Sequence, residues 1–134
     1  MSETYSLPTE PEGMAAALLE RFNSGEISAL MDLYEPDAVL IKNDGRPVTG
    51  HAEIAADLES YLSFGLPLEV SARHVFVAGD IAKIVLDWSI DDTGPGGEQV
   101  HFGGSASDVL RRGTDGIWRY LIDNNQGTAV RQPA

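Results

Sequence analysis

The sequence predicts an α+β fold in which three N-terminal helices pack on a curved, mainly antiparallel six-stranded sheet. Three observations predict it. Apolar stripes of helical period dominate the first half of the chain, and long runs rich in branched and aromatic residues fill the second. Turn signals (Asp44-Gly45, Gly79-Asp80 and Asp115-Gly116) separate the strand-like runs at hairpin spacing. Helices and strands segregated in this order form packed α+β layers rather than an alternating parallel sheet.

The elements follow in order. Residues 1–8 read as a flexible tail and residues 128–134 as a second one, leaving a single domain over 9–127. Thr9 and Glu12 stand at capping-box spacing and start the first helix, whose apolar face is Met14, Leu18 and Phe22. Asn23-Ser24-Gly25 ends it. A short second helix begins near Ser28, carries Leu30, Met31, Leu33 and Tyr34, and breaks at Glu35-Pro36-Asp37. "AVLIKN" and "RPVTG" pair across Asp44-Gly45. The third helix starts near Gly50 and lines up Ile54, Leu58, Tyr61 and Leu62. "SFGLPL" leads to four strands at 68–78, 81–91, 98–112 and 117–124, with a loose, mobile loop at 91–98.

Composition excludes several functions. The formal net charge of −12 disfavours nucleic acid and anionic membrane surfaces as partners. The absence of cysteine removes disulfides, thiolate catalysis and Cys-based zinc sites. His51, His74 and His101 form no short-range ligand cluster, so no metal is expected. No G-x-S-x-G elbow presents a nucleophile, and "HFGGSAS" and "GPGG" match no phosphate-binding fingerprint, so no cofactor is expected either. The polar, acidic start lacks the features of a signal peptide, and no apolar run could span a membrane; a cytoplasmic location is expected.

Hairpin register locates the candidate site. With the last turn centred on Thr114-Asp115, Ala106 faces Asp123, Asp108 faces Leu121 and Leu110 faces Arg119, all on one side. Val109, Trp118, Tyr120 and Ile122 take the other. Around Gly79-Asp80, Ala72 faces Asp87 and His74 faces Val85, with Val75, Val77, Ile84, Leu86 and Trp88 on the reverse. Asp108 and Asp123 become diagonal neighbours, and so do His74 and Asp87. Two nearby half-buried carboxyls raise one pKa, which supplies a proton donor beside an acceptor. Apolar residues on both faces imply that both are covered, the outer one by a second copy of the chain.

Tyr34-Glu35-Pro36-Asp37-Ala38-Val39 before the first strand, Gly50-His51-Ala52-Glu53-Ile54 at the third helix and the segment at 105–127 resemble the nuclear transport factor 2-like, or cystatin-like, superfamily. Its members include ketosteroid isomerase and SnoaL-like cyclases, and the C-terminal segment is similar to an isomerase-related SnoaL-like branch without an assigned reaction. The resemblance implies a strongly curved sheet, a conical cavity between helices and sheet, and a dimer. Aligned on the steroid isomerases, the general base falls on Lys42 and the tyrosine donor on Leu18. The protonated aspartate falls on Asp108, and Asp123 falls near an acid/base position of several cyclases. The expected function is a pocket for a small hydrophobic or carbonyl-bearing molecule, with cofactor-free acid/base chemistry of the isomerase, cyclase or dehydratase kind. The alternative is a non-catalytic homodimeric module that binds a ligand or a protein. Asp123 and Asp108 are the candidate catalytic residues; His74, Asp87, Lys42, Arg119, Leu18 and Leu121 are the candidate pocket residues.

Overall fold

The computed structural model describes residues 6–62, 68–93, 97 and 99–129. Most of the two expected tails, the segment 63–67 and half of the expected loop at 91–98 (residues 94–96 and 98) lie outside the described residues.

Three helices and six strands form an α+β structure with one mixed sheet. Helix α1 spans Met14–Ser24, α2 Ile27–Met31 and α3 His51–Leu62. The strands are β1 (Tyr34–Ile41), β2 (Pro47–Thr49), β3 (Glu69–Ala78), β4 (Ile81–Thr93), β5 (Gln99–Arg112) and β6 (Trp118–Asn124), in sheet order β2-β1-β6-β5-β4-β3. All neighbours are antiparallel except β1 and β6, which run parallel. The long β3 to β6 meander follows from its short turns, whereas the parallel insertion of β1 beside β6 has no local sequence signal.

Two helix boundaries differ from expectation. No capping box forms at Thr9; a 3-10 turn at Pro11–Gly13 precedes α1, and Gly13 stands at its N-cap. Gly25, in the left-handed conformation at φ 75°, closes α1 as the Asn-Ser-Gly signal requires. The second helix stops at Met31, and Tyr34 opens β1 instead of belonging to it. Glu35-Pro36-Asp37 interrupts pairing rather than structure: β1 contacts β6 at Tyr34 and again from Val39, skipping the proline that cannot donate to a ladder.

The helices cover one sheet face. Met14, Phe22, Leu30, Ile54 and Leu58 pack against Leu40, Ile84, Leu86, Ala106, Leu110, Trp118 and Tyr120. Arg21, almost fully buried, ties α1 to the Ala29 carbonyl at 2.5 Å and to Asp32 at 3.6 Å. The opposite face shows Phe76 and Ile122 among its exposed apolar residues, between ion pairs such as Arg111–Glu35.

Three register details decide which side chains reach the core. The β5–β6 loop is one residue longer than expected, because Arg112 pairs with Trp118 and Leu110 with Tyr120. This turns Trp118 and Tyr120 inward, onto the face of Leu110, and Arg119 outward. The next pair is Val109 with Ile122, so Leu121 is an extra residue, a β-bulge that reverses parity beyond it. Asp123 thereby returns to the inner face while Ile122 is exposed. A second bulge at Arg73 leaves His74 opposite Val85 but sets Asp87 opposite Ser71 instead of Ala72.

Candidate functional site

Asp108 from β5 and Asp123 from β6 are buried, 1% and 4% exposed, side by side on the inner face. Their carboxyls are hydrogen-bonded to each other. Each also has a donor of its own. The Tyr34 hydroxyl donates a short hydrogen bond to Asp123 Oδ2. The Asn124 backbone N–H donates to Asp108 Oδ1 at 2.7 Å. The Tyr34 ring stacks on Tyr120, centroids 4.9 Å apart, which fixes the phenol from behind.

Burial pushes the Asp108 carboxyl well above the usual carboxylate range, and the Asp123 charge adds to it; the Asn124 N–H acts in the opposite sense. Asp123 is also raised by burial, but the hydrogen bonds from Tyr34 and Asp108 hold it down. Burial likewise keeps the Tyr34 and Tyr120 phenols protonated, with the neighbouring carboxylates reinforcing the effect. These influences favour retention of a proton by the pair, more strongly at Asp108 than at Asp123.

A pocket of about 50 Å³ opens over this pair. Leu18, Phe22, Leu86 and Ala106 supply apolar wall, and Tyr61 and Trp88 meet edge to face at 6.1 Å. Both aromatics are pinned: Asn43 donates to the Tyr61 hydroxyl at 2.8 Å, and Trp88 Nε1 donates to the Asn125 carbonyl at 2.7 Å. The space corresponds to about four water-sized groups at 10–15 Å³ each, room for the reacting end of a ligand.

Of the candidate residues, Leu18, Asp108 and Asp123 line this pocket. The others are placed elsewhere. His74 is exposed and stacks on Phe76 at 5.6 Å. Asp87 is half exposed on the outer face, bound by Arg73 and by the Ser105 hydroxyl at 2.7 Å, which together lower its pKa. Both lie on the outer side because the β4–β5 register sets Ile84 and Leu86, not Val85 and Asp87, beside Asp108 and Ala106. Lys42 follows β1 at the hairpin turn, and its charge acts on Asp57. Arg119 pairs with Asp115 at 3.0 Å, and Leu121 sits at the bulge. Sequence reasoning missed Tyr34 and Tyr120. The first reads as part of a helix and the second as on the opposite face; the longer β5–β6 loop turns Tyr120 inward, and the bulge at Leu121 then sets Asp123 on the same face.

Among the described residues no group of three or more His, Cys, Asp or Glu side chains converges on a metal-sized site. No described helix is long and apolar enough to cross a membrane.

Residues 15–121 match the family model of the SnoaL-like domain, a match that ends two residues before Asp123. No curated protein matches the sequence. Among solved structures, a ketosteroid isomerase-like protein from Erwinia carotovora atroseptica is 23% identical, with 84% of this chain and 88% of that one covered and a TM-score of 0.71. A candidate calcium/calmodulin-dependent protein kinase II association domain from Thiobacillus denitrificans is 22% identical, with coverage of 89% and 95% and a TM-score of 0.71. A candidate dehydratase of the NTF2-like family from Streptomyces avermitilis is 20% identical, with coverage of 83% and 89% and a TM-score of 0.65. At these identities the likeness carries the fold alone.

Proposed function

The chain belongs to the SnoaL-like domain family, and from that premise we propose that its pocket is the inner end of a conical cavity that performs cofactor-free acid/base chemistry on a small, hydrophobic, carbonyl-bearing compound. The observation that carries this reading is the buried Asp108–Asp123 pair at the base of an apolar pocket. Asp123, the charged member, accepts a proton from the carbon beside the substrate carbonyl. Asp108 gives its proton to the carbonyl oxygen, or to a departing β-hydroxyl that leaves as water. Return of the first proton from Asp123 to another carbon, with the oxygen-bound proton going back to Asp108 as the carbonyl re-forms, completes an isomerisation; loss of water, with Asp123 passing its proton to Asp108, completes a dehydration. Relatives of the same fold are described as isomerase-like and as a candidate dehydratase, which agrees with this range.

The lining includes two carboxyls and no lysine or arginine. A substrate with a phosphate or carboxylate at its reacting end would be repelled, so a neutral carbonyl compound fits best. The experiment uses cyclohexanone and cyclohex-2-enone in D₂O and follows exchange of their α-protons by NMR. The wild type accelerates exchange, and Asp123→Asn removes at least about 100-fold of that acceleration. No acceleration by the wild type on either probe contradicts the reading.

A second reading, a homodimeric module that only binds, is favoured by one observation: both carboxyls are already engaged by donors of the fold, the Tyr34 hydroxyl and the Asn124 N–H. Thermal stabilisation by the probes without exchange supports it. In both readings the second copy docks on the outer sheet face, around Phe76 and Ile122.

A further inference from the structure

Two carboxyls that share one proton are interchangeable unless something outside the pair tells them apart. Here the outside contacts are unequal. Asp123 receives the Tyr34 hydroxyl at Oδ2. Asp108 receives the Asn124 backbone N–H at Oδ1. Each donor favours negative charge on the carboxyl it touches, so they pull the shared proton in opposite directions. An amide N–H is part of the chain and cannot be tuned by a side-chain change. The phenol can.

We propose that Tyr34 is a positioning residue that decides which carboxyl holds the shared proton, fixing Asp123 as acceptor and Asp108 as donor. The proposal rests on the acid/base reading of the pair given above. Its geometry comes from three elements. Tyr34 stands at the start of β1, where His51 Nε2 meets its carbonyl at 2.9 Å, Tyr34 pairs with Tyr120 in the parallel β1–β6 ladder, and the Tyr120 N–H donates to the neighbouring Leu33 carbonyl at 2.7 Å. Its ring is 3% exposed and stacked on Tyr120, so the hydroxyl has little freedom to leave Asp123. The bulge at Leu121 brings Asp123 to that hydroxyl.

The other charged groups around the pair do not make this distinction in the same way. Tyr120 of β6 interacts with both carboxyls. Asp57 of α3 opposes charge on Asp123 and is itself offset by Lys42. Lys83 of β4 acts weakly on Asp108 and favours charge there, in the same sense as Asn124. With the phenol removed, the charged and hydrogen-bonding contacts that remain favour the charge on Asp108, against the burial that favours its proton, and the shared proton shifts towards Asp123.

The test is site-resolved ¹³C NMR of the Asp108 and Asp123 carboxyls in the full chain, at a pH within the one-proton range, for wild type and Tyr34→Phe. The wild type should show Asp108 as the majority holder; in Tyr34→Phe the majority should move to Asp123. α-Proton exchange of cyclohexanone should fall about 10- to 100-fold in the same variant, as expected for losing a hydrogen bond to a charged group. If Tyr34→Phe fails to fold, 3-fluorotyrosine placed at position 34 supplies a stronger donor, and Asp123 should then stay ionised to lower pH than in the wild type. Asp108 still holding the proton in Tyr34→Phe, an unmoved Asp123 titration with fluorotyrosine, or a wild type with the proton already on Asp123 each overturns the proposal. Because proton placement is read without substrate, this result is separate from whether the pocket is catalytic.

Discussion

Replacing Asp108 by asparagine should stabilise the protein at neutral pH. Burial raises the Asp108 pKa well above its ordinary 3.8. The folded state therefore binds a proton that the unfolded chain has already released. A raised carboxyl pKa makes stability greatest below the unfolded value and erodes it as pH rises towards the folded value. The loss is about 1.4 kcal/mol per pH unit while Asp108 keeps its proton. Asp108→Asn mimics the protonated acid: its amide group can donate to Asp123, and its oxygen can accept from the Asn124 N–H. It keeps the contacts without the titration. The variant should therefore gain on the wild type as pH rises from the unfolded pKa towards the raised folded one, by at most about 1.4 kcal/mol per pH unit, and level off above it. Urea unfolding at a series of pH values, read by tryptophan fluorescence, measures the difference directly. Parallel stability curves for the two proteins across pH 4–7 would refute the reasoning, because they would mean that Asp108 titrates as an exposed carboxyl does. The same substitution removes the proton donor, so greater stability should come with lost exchange activity.

Other consequences are equally open to measurement. Deleting Leu121 removes the bulge and restores simple alternation; Asp123 should rotate outward and cease to titrate above the usual carboxyl range by ¹³C NMR. Gly127→Ala places a Cβ 2.5 Å from the Ser105 carbonyl at a φ of 53°, and should cost about 1–3 kcal/mol in chemical denaturation. Arg112→Ala removes an exposed pair with Asp80 and should change stability by less than about 1 kcal/mol. Ile122→Lys puts a charge on the outer face, and sedimentation should show dissociation of the proposed dimer with the far-UV spectrum retained.

Much of the architecture was legible in local signals. Gly79-Asp80 and the Asp115-Gly116 turn bounded the long strands to within a few residues, because a tight turn fixes where a ladder must reverse. The parallel placement of β1 was not legible, since it depends on contacts between residues about 85 apart, such as Tyr34 and Tyr120. The site was legible only in part. Alternation from the last turn put Asp108 and Asp123 on one face, but with Arg119 and Leu121 as companions instead of Trp118 and Tyr120. Two departures of one residue, a longer loop and the bulge at Leu121, cancel for Asp123 and do not cancel for its neighbours. The bulge at Arg73 changes only the partner of Asp87; Asp87 and His74 end on the outer face because β4 pairs Ile84 with Asp108 and Leu86 with Ala106, which turns Val85, Asp87 and His74 away from the pocket. A bulge at these positions carries no glycine or proline to announce it, so the sequence offers no marker of either.

The position of one hydrogen nucleus tests the account most directly. Neutron diffraction from a deuterium-exchanged crystal near neutral pH should show a single deuteron between the two carboxyls, bound to Asp108, with the Tyr34 deuteron pointing at Asp123. Two bare carboxylates, or an Asp123 side chain turned to bulk solvent, would contradict it.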